Sequence, residues 1–318
     1  MTLQIPIFTD VLQARRQIAP YLRPTLLYNY PALSQLVGCS LWVKHENHLP
    51  TGAFKVRGGI NLSSQLSDDE RRRGVIAAST GNHGQSVAYG AQLFGLKARI
   101  CVPEGANPGK VESMRNLGAE IIVHGRDFDE AREHCEALAA QNNYRYIHSG
   151  NEPLLIAGVA TATLEVLEMQ PNIETFVVPV GGGSGAAGAC IVAKTVNPKI
   201  EIIGVQSEAA PAAYRSWKAR QLLEDQMNTW ADGLQTRTAF ALPQQILWNH
   251  LDDFILVSDD EIRAANRLMI EKTRNLVEGA SAAGMAAALK IKDRLAGRRV
   301  ALICSGGNLS LKQLGEIL

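Results

Sequence analysis

One lysine, Lys55, lies where a strand-like run at residues 41–45 gives way to a predicted helix. In parallel α/β folds, the loops after the strands carry the chemistry. A lysine amine in such a loop can form a Schiff base with a carbonyl compound and can act as a base. The alternative is a surface lysine whose stem covers apolar neighbours while its amine stays in water.

A second polar loop, residues 79–85, joins the predicted strand 75–78 to a predicted helix at 85–93. Small residues at a helix start leave backbone N–H groups free to bind an anion, and a carboxylate would fit there. The amide of Asn82 could also donate to a phenolate-type oxygen. The alternative is an ordinary strand-to-helix turn that is capped by Ser79 or Thr80.

A glycine-rich loop follows the predicted strand 176–180 and leads into a predicted helix at 186–195. Its backbone N–H groups can converge on one phosphate, since it consists of Gly181, Gly182, Gly183, Ser184 and Gly185. Residues 183–188 also match the G-x-G-x-x-G spacing of dinucleotide-binding enzymes, and Glu208 lies 20 residues beyond Gly188. A nicotinamide or flavin enzyme is therefore a competing interpretation, although it does not account for the other loops.

Two segments near the C-terminal end complete the set. Ser305 follows the predicted strand 300–304, where its hydroxyl could bond an aromatic ring nitrogen. The alternative is a turn into a last short helix. The small residues of segment 278–284 would let a helix pack closely against a bound ring or against another helix.

The elements that position these loops alternate along most of the chain. The apolar runs are continuous, which is typical of strands buried on both faces of a parallel sheet. We therefore predict an α/β protein with two doubly wound, mostly parallel sheets. Ser258 and Glu261 fit a capping box at the start of a helix over 259–273. Further predicted strands lie at 98–102, 121–124, 146–148, 200–206 and 255–258, and further helices at 128–140, 155–168 and 280–295.

The length of 318 residues predicts about two domains. Residues 73–146 form a βαβαβαβ series, and we predict that they are a small mobile domain inserted into a larger one. The larger cofactor domain would be discontinuous and consist of residues 1–72 and 147–318.

The composition excludes several classes of protein. The 32 Lys and Arg residues against 31 Asp and Glu give a net charge of +1, whereas nucleic-acid binding needs a basic excess. No apolar run is long enough for a membrane span, and no signal peptide is recognisable. Five scattered cysteines without a Cys-x-x-Cys pattern predict buried thiols in the cytoplasm. The histidines of the chain are not spaced in a metal-binding pattern, so we expect no metal site.

The ordered set of loops resembles the pyridoxal-phosphate enzymes of fold type II, which share the fold of the tryptophan synthase β-subunit. Within that family the chain is most similar to the threonine/serine dehydratase and serine racemase branch. The resemblance covers nearly the whole chain. It rests on segments 51–58, 79–84, 181–185, 231–233, 278–280 and 305–308.

The resemblance implies a role for each predicted site residue. Lys55 would carry pyridoxal 5'-phosphate as a Schiff base, with Phe54 beside the ring. Asn82 would bond the 3-hydroxyl of the cofactor, and Ser305 would face its pyridine nitrogen. The loop from Gly181 to Gly185 would hold the phosphate. Other expected contacts are Gly233 and Glu278 to the cofactor, and Ser79, Thr80, Gly81, Asn82 and His83 to the substrate carboxylate.

The resemblance also implies the reaction. Displaced by the amine of a small amino-acid substrate, Lys55 would take the α-proton while the cofactor spreads the resulting charge. A serine at the pyridine nitrogen should leave it largely unprotonated, so loss of a β-hydroxyl is the natural outlet. The cofactor phosphate or Lys55 would supply the proton to the leaving group. We therefore expect an ammonia-lyase that turns a β-hydroxy amino acid such as L-threonine or L-serine into a 2-oxo acid and ammonia.

Departures from the family pattern keep alternatives open. The racemase branch has a second serine where this chain has Thr80, which is bulkier and is expected to act on the opposite face. Residues 156–161 lack the Gly-Gln-Gly-Thr usual in threonine dehydratases. Glu208 is alone where related enzymes bind a divalent cation through several acidic residues, so we expect no metal there.

The alternatives are a serine or amino-acid racemase with dehydratase side activity, and a dehydratase of an unusual substrate. Phenylserine, hydroxyaspartate and a hydroxyectoine-derived compound are examples of the latter. A non-catalytic metabolite-binding protein is disfavoured because Lys55, Asn82, Ser305 and the glycine loop are all retained. The family further implies a homodimer or homotetramer.

Overall fold

The computed structural model of the chain describes residues 4–318. Its strands form two separate sheets. The strands are β1 Leu27–Asn29, β2 Ser40–His45, β3 Val75–Ala78, β4 Ala98–Val102, β5 Glu120–Val123, β6 Arg145–Tyr146, β7 Thr175–Pro179, β8 Glu201–Ser207, β9 Asp253–Val257 and β10 Arg299–Cys304. The larger sheet has the order β1-β2-β10-β7-β8-β9, and the smaller one has the order β5-β4-β3-β6.

The helices between these strands cover both faces of each sheet. They are α1 Phe8–Ile18, α2 Pro31–Val37, α3 Lys55–Ser64, α4 Asp68–Arg73, α5 Asn82–Leu93, α6 Pro108–Asn116, α7 Phe128–Asn142, α8 Pro153–Met169, α9 Ser184–Val196, α10 Ala212–Ala219, α11 Ala241–His250, α12 Asp259–Thr273, α13 Gly279–Lys290, α14 Lys292–Leu295 and α15 Leu311–Ile317. Short 3₁₀ turns lie at Glu46–His48 and Asp232–Leu234.

The predicted α/β class with two largely parallel sheets is confirmed. Every strand pair is parallel except β1 with β2. Neighbouring residues of β7 point into different cores: Phe176 and Val178 pack with α8, α9 and α11, whereas Val177 packs with α12 and α13. Strand β7 is therefore buried on both sides, which explains its continuous apolar sequence.

The smaller sheet lies wholly within residues 75–146. Helices α5 and α6 cover one face, and α7 covers the other. The element order is the βαβαβαβ series expected from sequence. The division of the chain into a mobile domain of residues 73–146 and a domain formed by 1–72 with 147–318 stays a prediction.

Several element boundaries differ from those predicted. Strand β1 has three residues and is too short to give a sequence pattern. The helix predicted over 280–295 ends at Lys290 and is followed by the separate short helix α14. The predicted capping box is confirmed: Ser258 Oγ accepts from the N–H of Glu261, whose carboxylate accepts from the N–H of Ser258.

Two properties of the surface and core bear on the predictions from composition. All five cysteines are buried as free thiols, as expected. Within the part of the chain that the structure describes, residues 4–318, no helix is long and apolar enough to cross a membrane.

Helix α3, which begins at Lys55, packs against α5 and α8 at unusually short distances. A Cβ on Gly59 would lie 2.2 Å from the carbonyl oxygen of Ser86, and one on Gly158 would lie 2.7 Å from the Cα of Gly58. Because only glycine permits this approach, a larger residue at Gly59 or Gly158 would push the helices apart. The backbone of α3 is thereby held at a fixed distance from both neighbours.

A buried charge cluster holds the same helix on its other side. The Arg57 guanidinium donates to Glu46 at 2.6 and 2.8 Å and to Glu165 at 2.7 and 2.8 Å. Lys44 Nζ donates to Glu165 at 2.6 Å. Burial acts to lower the pKa of Arg57, but the two carboxylates outweigh it and raise the pKa. Two cations therefore balance two anions in the core.

The first prediction concerns this cluster. Replacing Arg57 with Met would leave Glu46 and Glu165 buried with too little positive charge, and we expect a loss of about 3–5 kcal/mol in the free energy of unfolding. Urea denaturation followed by circular dichroism measures it. The control is Arg72→Met, which removes a solvent-exposed ion pair with Asp69 and should cost about 0.5 kcal/mol or less. Equal effects of the two substitutions would contradict the prediction.

Candidate active site

A cavity of about 590 Å³ lies where the carboxyl ends of strands from both sheets meet. Strand β3 leads to one wall, and β7 and β10 lead to others, as expected for loops that follow parallel strands. The structure brings every predicted site residue to this one cavity. These are Phe54, Lys55, Ser79, Thr80, Gly81, Asn82, His83, Gly181, Gly182, Gly183, Ser184, Gly185, Gly233, Glu278 and Ser305.

Lys55 is the first residue of α3, as predicted, and its amine extends into the cavity. Lys55 Nζ donates to Ser184 Oγ at 2.8 Å and to the carbonyl oxygen of Ser149 at 3.2 Å. Burial lowers the pKa of the ammonium to about 8. A substantial share of the amine is therefore neutral near physiological pH, as a nucleophile or base requires.

The loop before Lys55 is tied to the loop that follows β10. The N–H of Phe54 donates to the carbonyl oxygen of Ser305 at 2.9 Å, and the N–H of Gly307 donates to that of Gly52 at 2.9 Å. These bonds fix the start of α3 relative to Ser305. The predicted lysine and the predicted ring-facing serine therefore belong to one rigid wall.

The glycine-rich loop forms the N-terminal end of α9. Gly183 precedes the helix with φ +87°, a left-handed conformation that favours glycine. A Cβ on Gly181 would lie 2.1 Å from the carbonyl oxygen of Gly233, and one on Gly182 would lie 2.4 Å from the Phe240 ring. The loop is packed from behind, and the first N–H groups of α9 have no partner inside the helix. They form a ready site for a phosphate.

The polar loop at residues 79–83 forms the start of α5, but the cap that the alternative interpretation gave is wrong. Gly81, not Ser79 or Thr80, precedes the helix, and it provides no side-chain cap. Ser79 Oγ instead accepts from the N–H groups of Gly81 and Gly84, at 3.2 and 2.9 Å. The serine folds the loop back on itself and presents the helix start to the cavity.

His83 is buried, and its ring is uncharged. Nε2 lies 3.1 Å from the carbonyl oxygen of Ile147, so this nitrogen carries the proton and donates. Burial, with a contribution from Lys55, lowers the pKa of the ring to about 3. His83 can therefore contribute hydrogen-bonding groups to the cavity but not a positive charge.

Asn82 is held by two neighbours in a single orientation. Its Nδ2 donates to the carboxylate of Glu278 at 3.0 and 3.2 Å, and its Oδ1 accepts from Asn308 Nδ2 at 2.8 Å. Burial raises the pKa of Glu278. The sequence interpretation assigned no role to Asn308, although it belongs to the same segment as Ser305.

Ser305 lies in the cavity wall with a second hydroxyl behind it. Ser281 Oγ is 3.0 Å from Ser305 Oγ and accepts from the N–H of Gly306 at 2.7 Å. Ser281 lies in α13, whose small residues were expected to allow close packing. Among residues 4–318, no ionised side chain hydrogen-bonds Ser305 Oγ, so this wall presents a neutral hydroxyl.

The residues present fit a phosphorylated pyridine aldehyde. The glycine loop can hold a phosphate, and a Cβ on Gly181 or Gly182 would clash with neighbouring atoms. The Lys55 amine lies 2.8 Å from Ser184 Oγ in the same loop. Asn82 and Ser305 place polar groups on two further sides of the cavity. The donor set matches one phosphate, one phenolate-type oxygen and one ring nitrogen, as the sequence suggested.

Comparison with known proteins agrees with this geometry. A family model described as pyridoxal-phosphate dependent enzyme matches residues 18–306. The L-threonine ammonia-lyase of Thermotoga maritima is 37% identical over 312 residues, which cover 97% of this chain and 77% of that protein. A catabolic L-threonine dehydratase of Staphylococcus aureus is 36% identical over 322 residues, covering 100% of this chain and 93% of that protein.

Solved structures show the same similarity. Maize serine racemase superimposes with a TM-score of 0.93 at 32% identity, covering 98% of this chain and 97% of the racemase. The alternative of a nicotinamide or flavin enzyme, which the spacing of residues 183–188 suggested, is therefore wrong. The chain belongs to the pyridoxal-phosphate dependent enzymes of fold type II, and its cofactor is pyridoxal 5'-phosphate.

Proposed function

We propose that the protein is an ammonia-lyase that converts a β-hydroxy amino acid, such as L-threonine or L-serine, into a 2-oxo acid and ammonia. The observation that carries this proposal is the Lys55 amine at the phosphate cradle, in the same cavity as the helix start that can bind a carboxylate. The relatives from T. maritima and S. aureus, which are named for action on L-threonine, support it.

The substrate carboxylate binds at the start of α5. The N–H groups of Asn82 and His83, the first two residues of the helix, and the helix dipole favour an anion there. Ser79, Thr80, Gly81, Asn82 and His83 form this wall. The wall carries no cationic side chain, since His83 is neutral, so directed N–H groups provide the recognition.

The cofactor is held by five groups of contacts. Gly181, Gly182, Gly183, Ser184 and Gly185 bind its phosphate, Lys55 binds its aldehyde carbon, and Phe54 lies beside its ring. Asn82 bonds its 3-hydroxyl, and Glu278 acts through Asn82, while Gly233 backs the glycine loop. Ser305 faces its pyridine nitrogen.

When bound, the cofactor supplies an electron sink that acidifies the α-carbon of the substrate. Once the substrate amine has displaced it, Lys55 is a free amine that takes the α-proton onto Nζ. The Ser149 carbonyl oxygen and Ser184 Oγ then accept hydrogen bonds from the new ammonium. The same ammonium returns the proton to the departing β-hydroxyl, so that water leaves.

A racemase is the second candidate, and the position of Thr80 favours it. Thr80 lines the cavity with a hydroxyl, and the maize serine racemase has the same fold. Racemisation needs a second group on the face opposite Lys55, and a threonine is less free to rotate there than a serine. We therefore place racemisation second, with a less usual β-hydroxy amino acid as a further substrate option.

Two broader inferences accompany the proposal. Five buried free thiols suit a reducing compartment, and we infer a cytoplasmic enzyme. We also infer a homodimer or homotetramer, by similarity to the family.

The first test of the function concerns Lys55. We expect Lys55→Ala to lose the absorbance band of the lysine-bound cofactor, at about 410–420 nm, and at least about a thousandfold of 2-oxo acid release. The control, Lys199→Ala, alters an exposed lysine and should retain both. An unchanged band in Lys55→Ala would show that another group binds the cofactor.

The second test uses pH. Because only the neutral amine attacks an aldehyde, we expect cofactor uptake by the cofactor-free protein to speed up with pH, through about pH 8, and to level off above it. At pH 6 only about one amine in a hundred would be neutral. Stopped-flow absorbance measures the rate. An inflection near 10.5, the ordinary value for lysine, would refute the effect of burial.

The third test separates lyase from racemase. With L-serine, we expect pyruvate to form faster than D-serine in a coupled assay with chiral chromatography. Thr80→Ser should raise the ratio of D-serine to pyruvate, because a serine hydroxyl rotates more freely. Thr80→Ala, which lacks the hydroxyl, should lower it. D-serine formation faster than pyruvate formation in the natural protein would favour the racemase.

A further inference from the structure

Two polar side chains in the cavity wall have no part in the chemistry described above. His148 and Asn151 follow β6, are partly buried and line the cavity near Lys55. Ser149 lies between them in the sequence. Its carbonyl oxygen accepts a hydrogen bond from Lys55 Nζ at 3.2 Å. The segment that carries both side chains is therefore hydrogen-bonded to the proposed base.

The ring of His148 is fixed in one tautomer. The backbone N–H groups of Gly150 and Asn151 both donate to His148 Nδ1, each at 3.0 Å. Nδ1 therefore holds a lone pair, and in the neutral ring Nε2 carries the proton. Burial lowers the pKa of the ring to about 4, so it is neutral under ordinary conditions. An edge-to-face contact with Phe240, with centroids 4.8 Å apart, also holds the ring.

The amide of Asn151 is fixed as well. The backbone N–H of Leu242 donates to Asn151 Oδ1 at 3.0 Å, so Nδ2 is the end that faces His148. Nδ2 and His148 Nε2 are 3.4 Å apart, and both are donors. Within residues 4–318, neither donor has an acceptor. Two unpaired donors this close together are satisfied by one oxygen atom that accepts from both.

We infer that this donor pair, His148 Nε2–H and Asn151 Nδ2–H, binds the β-oxygen of the substrate as it leaves. The inference rests on the proposed function. Lys55 takes the α-proton, and the electron pair left on the α-carbon forms a double bond to the β-carbon. The bond from the β-carbon to oxygen breaks with its electron pair going to oxygen, and Lys55 returns the proton to form water. The donor pair keeps its own protons and stabilises the negative charge that develops on the oxygen.

The test compares two leaving groups in the loaded enzyme. L-Serine loses a hydroxyl, whereas β-chloro-L-alanine loses chloride, which needs no proton and little hydrogen bonding. His148→Asn keeps a side-chain oxygen for the two backbone N–H groups but lacks the Nε2–H donor. Asn151→Asp keeps the acceptor for Leu242 and replaces the other donor with an oxygen. Asn249→Asp, at an exposed residue, is the control for the added charge.

We expect each variant of the pair to lower kcat/KM for L-serine by about tenfold or more, as for loss of a hydrogen bond to a developing charge. For β-chloro-L-alanine the change should stay within about twofold. Asn249→Asp should leave both substrates unaffected. In the natural protein, the ¹⁵N shift of His148 should show a proton on Nε2 throughout the pH range of activity.

Other outcomes would overturn the inference. A parallel loss with both substrates, together with weaker cofactor retention on dialysis, would assign the pair to the cofactor phosphate. No loss with either substrate would leave the pair without a role in the reaction. If the natural protein releases 2-oxo acid from neither substrate, the proposed lyase function itself fails. That outcome differs from variants that leave the ratio of kcat/KM for L-serine to kcat/KM for β-chloro-L-alanine unchanged, which contradicts only the role of the donor pair.

Discussion

The position of α3 is the constraint on which the active site depends. Two buried carboxylates grip Arg57 from one side, and glycine contacts bring α5 and α8 against the same helix. Lys55 is two residues before Arg57, about 200° around the helix, and therefore points the opposite way. The charges that fix the helix and the amine that does the chemistry are thus on opposite sides of one turn. Any loosening of the cluster would move the amine relative to the phosphate cradle.

The two sheets contribute different parts of the cavity. The smaller sheet provides the α5 start, and the larger sheet provides the glycine loop, Ser305 and Glu278. Hydrogen bonds cross between these parts: Asn82 of α5 bonds Glu278 and Asn308. The substrate wall and the cofactor wall are therefore coupled through a single amide. A shift of the smaller sheet would change the orientation of Asn82, and with it the contact to the cofactor.

The sequence predicted most of this arrangement because each loop carries a local pattern. Four glycines around Ser184 and a lysine after a strand need no tertiary information to be noticed. The alternative of a cap at Ser79 or Thr80 was wrong because Ser79 has the residue type of a cap but bonds within its own loop. Asn308 and Asn151 were missed because their partners, Asn82 and Leu242, lie far along the chain. Strand β1 was missed because three residues show no period.

Burial of titratable side chains and two helix starts determine how the site can receive anions. Burial favours the uncharged form of Lys55, His83 and His148 alike, and burial also raises the pKa of Glu278. Burial therefore reduces the charge that these four groups bring to the cavity, whereas the phosphate and the substrate carboxylate are anions. Charged side chains of both signs, among them Lys110, Arg132 and Asp129, also line the cavity. Helix starts at α9 and α5 receive these anions with N–H groups that need no counter-charge. A cationic side chain beside Lys55 would lower the pKa of its ammonium further by like-charge repulsion.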